Sequence, residues 1–162
     1  MPYLLDSDVF IRSKNLHYGF DFCPAFWDWL LVAHSTNTLF SIEKVLDDLQ
    51  AGADELSSWA AAAPATFFRA PDASVLPSLG IVSAWATSQS YEPAAISTFL
   101  QVSDYYLVAQ ALTYSFTVVT HEIPSASIRR IKIPDACLSV GVKVMTPFEM
   151  LRRERARFIL TA

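Results

Sequence analysis

The sequence is poor in residues that bind metals through sulfur or nitrogen. Its two cysteines, Cys23 and Cys137, lie far apart without a Cys-x-x-Cys spacing. We expect them to be buried thiols rather than a disulfide, as in a protein of the reducing cytoplasm. The three histidines also lack a metal-binding spacing such as His-Glu-x-x-His.

An excess of positive charge and a long hydrophobic run are also missing. The formal net charge is -4 at pH 7, which argues against a protein that binds polyanions over its whole surface. No apolar run approaches the roughly 18 residues of a membrane span. Acids within the first ten residues, without a basic flank, predict that no secretory signal peptide is present. We therefore expect no contact with a membrane.

The chain is rich in apolar residues and has no repeats, low-complexity tracts or linkers. Hydrophobic residues make up 52% of the 162 residues and charged residues 17%. This composition predicts one globular domain over residues 1–162, with a single core.

Short apolar segments alternate with helical patterns along the chain. We predict strands over residues 3–5, 38–40, 116–120 and 143–145. We predict helices over residues 24–35, 41–52, 54–63, 103–115, 133–142 and 146–158, with a more weakly marked helical segment over 71–92. This order predicts an α/β fold, a three-layer α/β/α sandwich with a central parallel sheet.

Several polar residues are candidates for helix caps. Ser41 is predicted to cap the second helix, and Ser103 or Asp104 the helix over 103–115. Asp8, or else Asp6, is predicted to cap the turn after the first strand.

Carboxylates stand beside the predicted strand ends, where parallel sheets bind their ligands. Asp6 follows the first strand, Glu122 lies just past the 116–120 strand, and Asp104 opens the helix before that strand. Asp48 lies on the helix after the second strand. Converging carboxylates repel one another, and a divalent cation such as Mg²⁺ removes that repulsion. Taken singly, each acid also fits a cap, a loop or a solvated helix face.

Four segments in this order, "YLLDSDVFI", "DLQAG", "SDYYLVAQA" and "TVVTHE", resemble the motifs of the PIN-domain family. The resemblance covers nearly the whole chain and points to one poorly characterised PIN-like subfamily. Asp6, Asp48, Asp104 and Glu122 match the first to fourth acids. The family's second acid is usually Glu and its fourth Asp, so both positions depart from the pattern. Glu43 is therefore an alternative second acid.

The resemblance implies a metal-dependent endoribonuclease that hydrolyses RNA phosphodiesters, the toxin of a toxin–antitoxin pair. Asp6 and Asp104 would bind Mg²⁺ or Mn²⁺, and Asp48 and Glu122 would bind a second ion or orient water. Asp8 is a lower-ranked alternative acid. The candidate contacts to RNA are Ser7, Arg12, Lys14, Thr120, Arg129, Arg130 and Lys132. The implied partners are a cognate antitoxin and a second copy of the chain, the latter through the apolar segment 22–32.

Two other functions fit parts of the sequence. The departures at Asp48 and Glu122 motivate a PIN-like fold without metals that acts through protein contacts. The opening "LLDSDVF" also resembles the Asp-x-Asp start of haloacid-dehalogenase-like phosphatases. That alternative is the more remote one, because the adjacent pair Asp47-Asp48 comes too early for such a phosphatase and lies on a predicted helix.

Overall fold

A computed structural model describes residues 2–160 of the chain. The strands are β1 (Tyr3–Leu5), β2 (Leu39–Ile42), β3 (Phe68–Arg69), β4 (Thr117–Val119) and β5 (Val144–Met145). The helices are α1 (Ser7–Arg12), α2 (Pro24–Ser35), α3 (Glu43–Gln50), α4 (Glu55–Ala62), α5 (Leu76–Ser88), α6 (Pro93–Gln101), α7 (Ser103–Tyr114), α8 (Ile133–Val140) and α9 (Pro147–Arg153). A π-helical turn (Ser13–His17) continues α1, and a 3-10 turn (Ala73–Val75) precedes α5.

The five strands form one sheet in the order β3-β2-β1-β4-β5, and the pairs that join them are all parallel. The chain moves from β1 to β2 and β3 on one side, then crosses back to β4 and β5 on the other. Sheets of this kind bind ligands beyond the carboxyl ends of the strands, where the order reverses. In this sheet that point lies between β1 and β4.

Helices cover both faces of the sheet, which makes the fold the predicted three-layer α/β/α sandwich. Helices α5, α6, α7 and α8 pack against one another, and Trp27 of α2 meets Trp59 of α4 at 5.0 Å between ring centroids. Right-handed crossovers place these two groups on opposite faces. The residues of β1 and β4 are all buried, as expected for strands covered on both sides.

The predicted elements are largely confirmed, with three omissions. Strands β1, β2, β4 and β5 and the helices at 24–35, 54–63, 103–115 and 133–142 lie within a few residues of their predicted bounds. The sequence did not predict α1, α6 or the two-residue strand β3. The last helix is also shorter than predicted, because it ends at Arg153.

The predicted caps of α3 and α7 are wrong. Ser41 lies in β2 and donates from Oγ to the Leu5 carbonyl at 2.7 Å, while Ile42 takes the N-cap position of α3. Val102 takes the N-cap position of α7, so Ser103 and Asp104 are its first helical residues. In both places a tertiary contact replaces the local preference of a serine for capping.

The apolar segment 22–32, the candidate contact with a second copy of the chain, lies partly in the core. Phe26, Trp27 and Leu30 of α2 are buried, whereas Phe22 and Val32 are exposed. Most of the apolar side chains of the segment 22–32 therefore pack in or against the core of the protein itself. None of the helices in residues 2–160 is long and apolar enough to cross a membrane.

The central strand should dominate the stability of the sheet. Leu4 is fully buried in β1, whereas Leu16 in the π-helical turn is 68% exposed. We expect Leu4→Ala to lower the free energy of unfolding by about 2–5 kcal/mol, because it leaves a cavity between covered faces. Leu16→Ala, the matched control, should change it by less than about 0.5 kcal/mol. Urea denaturation measures both, and equal losses would contradict a core centred on β1.

Candidate active site

The register of β1 and β4 brings the first and last of the predicted site segments together. Leu5 pairs with Val119, and the Asp6 amide donates to the Val119 carbonyl at 3.0 Å. Asp6 and Thr120 therefore leave the sheet side by side. Because the strands are parallel, this junction is at the carboxyl edge, as predicted from the strand order.

Two adjoining cavities open at this edge. The first, here called the acidic cavity, has a volume of about 560 Å³. It is lined by Asp6, Ser7, Asp8, Ile11, Arg12, Asp104, His121, Glu122, Ile123, Arg130 and Lys132. The second, here called the side cavity, has a volume of about 450 Å³. It is lined by Ser7, Asp48, Ala95, Thr98, Phe99, Val102, Ser103, Asp104, Arg129, Arg130 and Ile131.

Asp6 is the most buried acid of the acidic cavity, with 3% of its surface exposed. Thr120 donates from Oγ1 to Asp6 Oδ2 at 3.0 Å and fixes the carboxylate. Burial raises the pKa of Asp6 to about 8, and the negative charges of Asp104, Glu122 and Asp8 add to the rise. The Thr120 hydrogen bond opposes it. A carboxylate held this way favours either a proton or a cation beside it.

Asp104 faces Asp6 from the first turn of α7. Burial raises the pKa of Asp104 to about 6, and the charges of Glu122 and Asp48 add to this, while Arg130 lowers it. Asp104 lines both cavities. The two carboxylates predicted to bind metal directly are thus brought together.

Asp48 lies on the other side of Asp104, in the side cavity. Ser103 donates from Oγ to Asp48 Oδ2 at 2.7 Å, which ties α3 to the start of α7. Asp48 therefore lines the side cavity, which adjoins the acidic cavity at Asp104, and it is not among the residues that line the acidic cavity. Glu43, the alternative second acid, is exposed at the start of α3. It is not one of the described residues that line either cavity.

Glu122 lines the acidic cavity and also holds the start of α8. The amide of Ile133, the first residue of α8, donates to Glu122 Oε1 at 2.9 Å. Arg130 Nη2 lies 3.3 Å from Glu122 Oε2. Both carboxylate oxygens thus have partners, and the fourth predicted acid supports the wall of the cavity as well as its charge.

Asp8 lies in the first turn of α1, where it pairs with Arg12 at 2.9 Å. The prediction that it caps the turn after β1 is therefore wrong, because the chain enters a helix at Ser7 and Asp6 takes the N-cap position. Asp8 instead adds its charge to the acidic cavity. Its pairing with a helix neighbour also weakens the phosphatase alternative, which needs this residue as a free acid.

Four predicted RNA contacts line the acidic cavity: Ser7, Arg12, Arg130 and Lys132. Arg129 lines the side cavity and is 84% exposed along its side chain.

Two predicted RNA contacts have other roles. Thr120 is buried and orients Asp6. Lys14 forms an ion pair with Asp54 at 2.8 Å, because the turns after α1 direct it toward the start of α4.

The sequence did not predict the cluster of rings that packs around His121, a lining residue of the acidic cavity. The rings of His17 and His121 stack at 5.4 Å between centroids, and Phe148 contacts both edge-on, at 5.1 and 5.6 Å. The π-helical turn brings His17 into contact with His121. His34 has a structural role, since it is buried and bonded to the Leu39 carbonyl and Thr66.

The acids fit a hydrated divalent cation better than a cage made of protein ligands. In residues 2–160, no group of three or more His, Cys, Asp or Glu side chains is arranged to hold a metal ion. The pair Asp6 and Asp104 remains, both with a raised pKa and both facing one polar cavity. Mg²⁺ binds through one or two carboxylates, several waters and substrate phosphates. Asp6 and Asp104 could supply those carboxylates.

The chain belongs to a family described as a domain of unknown function (DUF4411), whose model matches residues 3–158. No curated protein matches the sequence. The family match thus extends from β1 past the end of α9 and includes each of the acids described above.

The burial of Asp6 predicts an unusual dependence of stability on pH. The pKa of Asp6 rises from 3.8 to about 8 on folding, so the native state holds this proton more tightly than the unfolded state. Stability contributed by the proton is present below about pH 4 and is lost as the pH rises through about 8. In buffer with a chelator, we expect Asp6→Asn to gain more than about 1 kcal/mol over wild type between about pH 5 and about pH 8.

Urea denaturation at a series of pH values tests this difference. Asp47→Asn, on the exposed side of α3, is the matched control and should follow wild type. If the free energy of unfolding depends on pH in the same way for Asp6→Asn and wild type, the ionised Asp6 carboxylate is not destabilised by folding.

Glu122 should matter for stability through its hydrogen bonds to α8. Glu122→Ala removes the acceptor of the Ile133 amide, and we expect a loss of about 1 kcal/mol in the free energy of unfolding. Glu122→Gln keeps an acceptor oxygen and should lose less. Equal losses in urea denaturation would mean that the charge, and not the hydrogen bond, supports the helix.

Proposed function

We propose that this member of the DUF4411 family is a metal-dependent ribonuclease that hydrolyses RNA phosphodiesters. The observation that carries the proposal is the pair of Asp6 and Asp104, which face one cavity at the reversal point of a parallel sheet. A buried carboxylate without a counter-charge is strongly unfavourable. A divalent cation supplies that charge and would be held by these two side chains.

The metal, Mg²⁺ or Mn²⁺, would lower the pKa of a bound water and offset the charge of the phosphate. The chain's own residues do the rest. Thr120 holds the Asp6 carboxylate in one orientation through its hydrogen bond. Arg130 and Lys132 bring positive charge to the same cavity, where a phosphate oxygen can accept hydrogen bonds from them.

The resemblance to the PIN-domain family supports the same function, because its four acids correspond to residues of these two cavities. It also supports the further proposals of a toxin role, a cognate antitoxin and a homodimer. A cytoplasmic location accords with the two free cysteines, Cys23 and Cys137.

A second candidate is a PIN-like interaction module that binds no metal. The engagement of Asp48 by Ser103 and of Glu122 by α8 favours it, since both acids then serve the packing of helices. Metal affinity separates the two candidates.

Calorimetry with Mg²⁺ and Mn²⁺ tests the proposal without a known RNA target. We expect wild type to bind the ion, and both Asp6→Asn and Asp104→Asn to lose at least about tenfold in affinity. The matched control is Asp47→Asn, which removes a carboxylate one residue from Asp48 and should bind as wild type does. Cleavage of a randomised single-stranded RNA should then require the ion and both aspartates.

A wild-type affinity no higher than that of Asp6→Asn, even with RNA present, would refute the ribonuclease proposal. The interaction module would then be the better description. Because Asp6→Asn is expected to fold at least as stably as wild type at neutral pH, its loss of metal binding would not reflect unfolding.

A further inference from the structure

We propose that the side cavity binds the nucleobase attached to the scissile phosphate. The inference rests on the proposed function and adds to it a binding site for the base. Its basis is the continuity of the two cavities and the chemistry of the second one.

The two cavities share part of their lining. Ser7, Asp104 and Arg130 border both of them. A phosphate bound beside Asp104 and Arg130 would therefore lie at the opening of the side cavity. The nucleoside attached to that phosphate can enter the cavity without any movement of the sheet.

The walls of the side cavity differ from those of the acidic cavity. Four apolar residues line it, namely Ala95, Phe99, Val102 and Ile131, together with the hydroxyl-bearing Thr98. Its volume of about 450 Å³ lies within the range of roughly 300–1,000 Å³ typical of small-molecule sites. A cleft that combines apolar walls with hydroxyl-bearing and charged side chains suits a flat, partly polar heterocycle better than it suits a hydrated ion.

Two guanidinium groups stand at the same cavity. Arg129 is 84% exposed and lies 3.9 Å from Glu92, and Arg130 is 64% exposed beside Glu122. The Arg129–Glu92 pair is exposed on both sides and therefore weak, so the Arg129 side chain is available to a ligand. Planar guanidinium groups stack on bases and also bind phosphate, and both chemistries are needed at this position.

Nucleotide binding to a filled cavity tests the inference. The probes are the four ribonucleoside 5′-monophosphates and ribose 5-phosphate, which lacks a base, each titrated by calorimetry in buffer with Mg²⁺. Thr98→Trp fills the side cavity from α6. Ser97→Trp, one residue away on the exposed surface of the same helix, is the matched control.

We expect at least one monophosphate to bind wild type about tenfold more tightly than ribose 5-phosphate does. Thr98→Trp should abolish this difference and Ser97→Trp should keep it. If Thr98→Trp unfolds, Val102→Phe fills the same cavity from the start of α7.

Equal affinities for the monophosphates and ribose 5-phosphate would overturn the inference, as would a preference that survives in a folded Thr98→Trp variant. The side cavity would then be open to a protein partner instead. Either result leaves the ribonuclease proposal to the metal titrations, which do not involve Thr98. Conversely, a protein that binds no metal but keeps its preference for monophosphates would refute the ribonuclease proposal and retain the nucleobase site.

Discussion

The burial of the Asp6 carboxylate is the constraint on which the carboxyl edge of the sheet depends. The backbone cannot move it, because β1 is paired on both sides and Asp6 itself donates to Val119. The surroundings have adapted instead. Thr120 supplies one hydrogen bond from the neighbouring strand, and Arg130 and Lys132 bring positive charge to the same cavity, with Arg130 beside Glu122. A single acid at the end of a strand thus accounts for much of the polar structure around it.

The four acids of the site divide into two kinds. Asp6 and Asp104 face the cavity with a raised pKa, so their charge is poorly satisfied by the protein alone. Asp48 and Glu122 are the two that depart from the PIN-like pattern, and both are bonded to helix starts, at Ser103 and Ile133. The two acids whose side-chain length departs from the pattern are therefore the two that hold helix starts. This division separates the acids that face the acidic cavity with a raised pKa from those that hold helix starts.

The sequence was sufficient for the sheet and for the position of the acids, because buried parallel strands read as apolar runs and Asp6 follows one directly. It was insufficient where a contact distant in sequence decides the outcome. Serine is a common N-cap residue, yet Ser41 and Ser103 each donate to a group on another element. Strand β3 has two residues, too few for any periodicity. The role of Thr120 depends on the register of β4 with β1, which a sequence pattern does not specify.

The π-helical turn at Ser13–His17 fixes the angular position of His17 about the helix axis. A π turn accommodates one more residue than an α-helical turn. If the same five residues closed in α geometry instead, His17 would be carried further around the axis, by nearly the roughly 100° that one α-helical residue occupies. His17 would then leave the ring of His121, which it now stacks upon. The wider turn therefore keeps one ring in place behind a residue that lines the cavity.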